Sequence, residues 1–190
     1  LTVKQYTQQF PLATITSSSG IRIALDDANL GTVGSSISSW NSRVGTNHFT
    51  TYYGSYTAPT IVQDAVSGRK VVRFDGVGNT LRSSAQIGVT TGDFTIMYVA
   101  KTNTTNSFRV LQQGYWNTTF GWNNGQVNTM IADTNQGTNT NLNGAYAIPT
   151  DTQWRVFTFT AETSPRQFSM RIGGVKRTAE GFLYDDSLLM

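Results

Sequence analysis

The chain reads as an all-β domain of sandwich or barrel type, and three observations lead there. Short runs rich in β-branched and aromatic residues alternate in polarity and are separated by Gly, Asn and Asp turn signals. No stretch carries a helical period of useful length. Charged residues make up only 13% of the 190 residues, so polarity rests on Asn, Thr, Ser, Gln and Gly, which favour turns and strands over exposed helices.

Residues 1–20 are polar and end in Ser17-Ser18-Ser19-Gly20, the composition of an arm or linker. Ile21-Arg22-Ile23-Ala24-Leu25 alternates and runs into Asp26-Asp27, which predicts a strand and a turn. A short strand is expected over Ile37 to Trp40, and a Tyr/Thr-rich loop over 41–57. Lys70 to Asp75-Gly76 predicts a strand closed by an Asp-Gly turn. Asp93 to Ala100 is the strongest strand in the chain and is apolar on both faces, as expected of a central strand covered on both sides. Strands are further expected over Phe108–Gln112 and Thr118–Trp122, with a turn at Asn123-Asn124-Gly125. Asp133–Gly144 reads as a long loop, and Trp154–Thr160 and Gln167–Ile172 as two alternating strands, the second stopped by Gly173-Gly174. The interior is expected to include Phe74, Phe94, Ile96, Val156 and Phe157 or Phe159, with Trp40 and Trp154 also assigned to it.

The ordered set Ile23-Ala24-Leu25-Asp26, Ile37 to Arg43, Pro59-Thr60, Gly68 to Gly76, Gly92 to Ile96, Trp154 to Phe157 and Met170 to Gly174 resembles laminin-G-like domains of the concanavalin-A-like lectin/glucanase superfamily. The resemblance covers about residues 21 to 177. It implies a two-sheet antiparallel jelly-roll sandwich over 21–190, preceded by the 1–20 arm. Such domains go on past the Gly-Gly turn to a closing strand. None is legible before Leu188-Leu189-Met190, so the expectation is a sheet edge completed by further chain or a neighbouring subunit, within a larger assembly or homo-oligomer.

Composition narrows the function classes. The net charge is +3, but the basic residues are scattered and track no phosphate backbone, which argues against nucleic acid. No stretch is apolar and long enough to insert in a membrane as a helix. There is no Cys, which removes disulfides and thiolate metal sites. Glycosidases of the resembled superfamily set two acids on one strand face, two or four positions apart, and no strand here does so. Asp26-Asp27 and Asp185-Asp186 are adjacent pairs and read as turn or cap residues. His48, the single histidine, lacks the helpers of a triad or zinc site and reads as structural or exposed in a loop. The chain is therefore expected not to be an enzyme. No cofactor is implied, although calcium is common in the wider superfamily. Asp26, Asp27, Asp75, Asp133 and the Asn-rich loops offer oxygen ligands without EF-hand spacing.

The aromatics carry the functional expectation. Tyr115, Trp116, Trp122, Asn123 and Asn124 place flat rings beside amide side chains at a strand end. Rings stack on apolar sugar faces and amides both donate to and accept from hydroxyls, so these residues form the candidate ligand-binding set. The alternative is that Trp116 and Trp122 only close the core. Tyr52, Tyr53 and Tyr56 form a second cluster suited to a protein surface. The expected function is a glycan-binding or adhesive recognition module of an extracellular, cell-surface or virion protein, with a glycan or a surface protein as partner. A structural virion decoration or tail domain contacting protein is the alternative, and a polysaccharide hydrolase or lyase the second.

Overall fold

The computed structural model describes residues 20–21, 23–51, 56–85, 93–102, 108–113, 118–123, 126–132, 139–141, 152–163 and 166–176. It is all-β, with strands in several antiparallel sheets and no α-helix among the described residues. The chain divides into two compact units, Leu1–Gly88 and Val89–Met190.

In the first unit β1 (Trp40–Asn41), β2 (His48–Thr51) and β5 (Leu81–Ser83) form one sheet in the order β1-β2-β5. β3 (Thr60–Gln63) and β4 (Lys70–Arg73) form a hairpin. Its tip is closed by Asp64, which is 5% exposed. The Asp64 carboxylate accepts the Ser67 N–H at 2.9 Å and the Ser67 hydroxyl at 2.8 Å. Its main chain bonds Arg69 and Gly68, both at 2.8 Å. A buried carboxylate is tolerable only with such donors around it. The Ser35–Ile37 segment runs along β3, with Ile61 N–H donating to Ser35 O and Ile37 N–H to Pro59 O. Leu30, Ile37 and Ile61 make the core of this unit, and Trp40, Val72 and Leu81 pack on it.

The second unit holds two four-stranded sheets. One contains β6 (Phe94–Ala100), β11 (Arg155–Thr163), β12 (Arg166–Ile172) and β13 (Val175–Lys176), in the order β13-β12-β11-β6. The other contains β7 (Phe108–Gln113), β8 (Thr118–Asn123), β9 (Gln126–Ala132) and β10 (Asn139–Asn141), in the order β10-β9-β8-β7. Gly173 and Gly174 join β12 to β13 in a two-residue turn with φ of 57° and 82°, left-handed values that match the strand twist and suit glycine. Phe157 is 3% and Phe159 0% exposed. Tyr98 stacks on both, with centroids 5.1 and 5.9 Å away.

Several sequence expectations are corrected. Residues 21 and 23–25 form no strand. Ala24 is tied by single bonds, its N–H to Ser42 Oγ and its carbonyl to Arg43 N–H, and the chain then enters a 3-10 turn at Asp27–Asn29 capped by Asp26. The expected loop over 41–57 contains β2, and the one over 133–144 contains β10. His48 accordingly sits on a strand, half-buried. β6 is covered on one face only: Met97 and Val99 are 66% and 61% exposed, because alternation sets them on the face opposite Tyr98, which stacks on Phe157 and Phe159. Val156, paired with Val99, shares that open face. Phe74 is half exposed because β4 has already ended at Arg73 and the chain is turning.

Candidate functional site

The candidate set centres on the β8–β9 hairpin. Tyr115, Trp116 and Asn124 lie outside the described residues, as do Tyr52 and Tyr53 of the second cluster. Trp122 and Asn123 are the last two residues of β8. Successive residues of a strand belong to opposite faces, so the backbone assigns Trp122 and Asn123 to different sides of the sheet.

The register extends this assignment across all four strands. Trp122 pairs with Phe108 on β7 and Val127 on β9, while Phe120 pairs with Leu111 and Thr129. Thr118 pairs with Gln113 and Ile131. These positions form one face, dominated by aromatic and aliphatic residues. On the other face Asn123 pairs with Gln126, and Gly121 with Arg109 and Asn128. Thr119 there pairs with Gln112 and Met130, Met130 with Asn141, and Ala132 with Asn139. A register shift between Arg109 and Leu111 is what keeps both rows in phase.

The second face is thus a field of carboxamides: Gln112, Asn123, Gln126, Asn128, Asn139 and Asn141. Each carboxamide offers two donor hydrogens and an acceptor oxygen. Gly121 stands in the middle row, where the lack of a side chain lets another molecule approach the backbone. Arg109 is the one charged residue in these four strands, which contain neither Asp nor Glu. This division follows from the pairing of strands distant in the chain, including the register shift in β7, and was not read in the sequence.

The remaining candidates are engaged locally. Trp40 is half-buried and its indole Nε1–H donates to Asp26 O at 2.8 Å. Trp154 is half-buried too, with Lys101 Nζ 4.6 Å from its ring centroid. Tyr56 is 49% exposed. The proposed calcium donors have other partners: Asp26 pairs with Arg43, Asp27 with Arg69, and the Asp75 carboxylate accepts the N–H groups of Val77, Gly78 and Asn79. Those three bonds hold the Asp75 pKa below the ordinary carboxylate value, the Val77 bond contributing most. Asp133 lies outside the described residues. Among the described residues no cluster of three or more His, Cys, Asp or Glu could hold a metal ion, and no helix is long and apolar enough to cross a membrane.

No family model, curated protein or solved structure matches this chain.

Proposed function

We propose that the chain is a non-catalytic recognition module that binds glycans through the carboxamide face of the β7–β10 sheet. The observation that carries this reading is that the register sets Asn123, Gln126, Asn128, Asn139 and Asn141 on one side of a sheet whose other side is richer in aromatic and aliphatic residues. A dense array of neutral donors and acceptors suits polyhydroxylated ligands, whose hydroxyls both give and take hydrogen bonds. The lack of Asp and Glu from these strands supports binding without the paired acids of glycoside cleavage.

The fold proposed with it is a jelly-roll sandwich of the laminin-G-like kind, in an extracellular, cell-surface or virion protein. The near-complete burial of Phe157 and Phe159 supports a second apolar layer over their sheet. The face of Phe108, Leu111, Phe120, Trp122 and Val127 supplies the matching chemistry. In this arrangement Trp122 belongs to the interior, and Asn123 to the ligand surface.

The test is a glycan array probed with the 190-residue chain, alongside an Asn123→Ala/Asn128→Ala double variant. Retention of a defined set of glycans, reduced about tenfold or more in the variant with its melting temperature held, is expected. An array without signal would overturn the reading.

A second reading, a structural domain that contacts protein, is favoured by one observation. Met97, Val99 and Val156 form an exposed apolar patch on the open face of β6 and β11. Met97→Lys/Val99→Lys would then convert a self-associated chain to monomer in light scattering, while a wild-type monomer would count against it.

A further inference from the structure

The carboxamide face carries a single charged residue, Arg109. Arg109 is paired with Gly121 on β8, and Gly121 with Asn128 on β9, so the three form one row across the sheet. With strands spaced about 4.8 Å apart, Arg109 and Asn128 flank the glycine at roughly 10 Å from each other. The sequences of the four strands contain no Asp or Glu, so the one charge that the register sets in this row is positive.

We infer that the ligands of this face are acidic glycans, carrying the carboxylate of a uronic or sialic acid, and that Arg109 is the specificity-determining residue. The inference rests on the glycan reading and narrows it to a chemical class. The planar guanidinium fork matches a carboxylate in bidentate fashion, with bonds roughly twice as strong as neutral ones. Gly121 leaves the middle of the row open, so a sugar ring can lie against the backbone while Asn128 and Asn123 take its hydroxyls. A Cβ-branched side chain at 121 would close that approach.

The experiment is an array of uronic-acid and sialic-acid oligosaccharides, each printed beside its carboxyl-reduced neutral form, probed with wild type, Arg109→Gln, Arg109→Lys and Gly121→Val. The expected result is retention of carboxylated members and loss of signal on reduction. Arg109→Gln should lose at least about tenfold in affinity, with Arg109→Lys intermediate. Signal for the carboxylated members should also fall with salt, since the screening length shrinks from about 10 Å at 0.1 M to about 3 Å at 1 M. Thermal melting of each variant separates lost binding from lost folding, and Arg109→Lys serves should Arg109→Gln fail to fold. Equal binding of carboxylated and reduced members, unaffected by Arg109→Gln, would overturn the inference and leave glycan binding standing. Silence across the whole array would overturn both.

Discussion

The indole Nε1–H of Trp40 donates to the main-chain carbonyl of Asp26 at 2.8 Å, tying β1 to the turn that precedes it by fourteen residues. The same aspartate caps the 3-10 turn through Ala28 N–H at 3.1 Å and meets Arg43 Nε at 2.6 Å. One residue therefore joins the turn, the strand and the segment beyond it.

Replacing its side chain should be felt at two of these places, since Trp40 bonds the main-chain carbonyl. Asp26→Ala removes the cap and the ion pair together, and it is expected to cost about 1–2 kcal/mol, with most of the loss from the cap because Arg43 is about a third exposed and its pair is screened by water. Trp40→Phe, which keeps one aromatic ring but drops the donor and the fused pyrrole ring packed on the core, should cost at least about 1 kcal/mol. Chemical denaturation followed by Trp fluorescence or circular dichroism checks both. A neutral Asp26→Ala would mean the turn is held by other bonds.

The Asp75 turn should respond to acid. Hydrogen bonds from Val77, Gly78 and Asn79 lower the folded-state pKa from 3.8. A depressed carboxylate pKa contributes stability that is present above the unfolded value and lost as pH falls through the folded one. Backbone amide shifts of Val77, Gly78 and Asn79 should therefore titrate with a midpoint below 3.8. Asp75→Asn should shift these resonances at neutral pH and flatten the titration. A carboxyl that titrates at or above 3.8 would refute the assignment.

Burial separates two phenylalanines that look alike in sequence. Phe159 is 0% exposed and Phe74 50%. Phe159→Ala is expected to cost about 3–5 kcal/mol, while Phe74→Ala, which opens no cavity, should cost a small fraction of that. Ile61→Val in the other unit should fall between, at about 0.5–1.5 kcal/mol. Equal losses for the two Phe variants would show that Phe74 is covered in solution.

Tyr98 buries its hydroxyl oxygen without a hydrogen-bond partner among the described residues. Desolvation raises its pKa well above 10. A neutral group whose folded pKa is raised stabilises the fold below the unfolded value and loses that contribution as pH climbs above about 10, where the unfolded chain ionises first. Tyr98→Phe should be neutral or gain up to about 1 kcal/mol, since it removes an unsatisfied polar atom and keeps the stack on Phe157 and Phe159. It should also blunt the alkaline loss, measured as melting temperature from pH 8 to 12. A clear destabilisation at neutral pH would mean the hydroxyl has a partner.

The sequence by itself determined that the chain is all-β and where the strongest strands run. The strands read over Asp93–Ala100, Trp154–Thr160 and Gln167–Ile172 appear as β6, β11 and β12, because β-branched and aromatic content and, in the last two, period-2 patterning are local properties written residue by residue. Turn chemistry was equally legible at Asp75-Gly76 and Gly173-Gly174, where left-handed backbone suits glycine. Weak strands such as β3, β9 and β10 were not, since Thr, Asn and Gln serve loops and sheets alike, and only pairing with a neighbour decides between them. Which face of β6 meets water was also undecided, because Met97 and Val99 are as apolar as Ile96 and only the packing of the opposite face beside Phe157 and Phe159 distinguishes the two sides. The candidate site divides the same way. Trp122 and Asn123 are neighbours in the chain and were grouped for that reason. The register of β7 to β10 separates them onto two faces and brings Arg109, Gly121 and Asn128 into one row across three strands, a juxtaposition that hydrogen bonding between distant segments creates and no local pattern encodes.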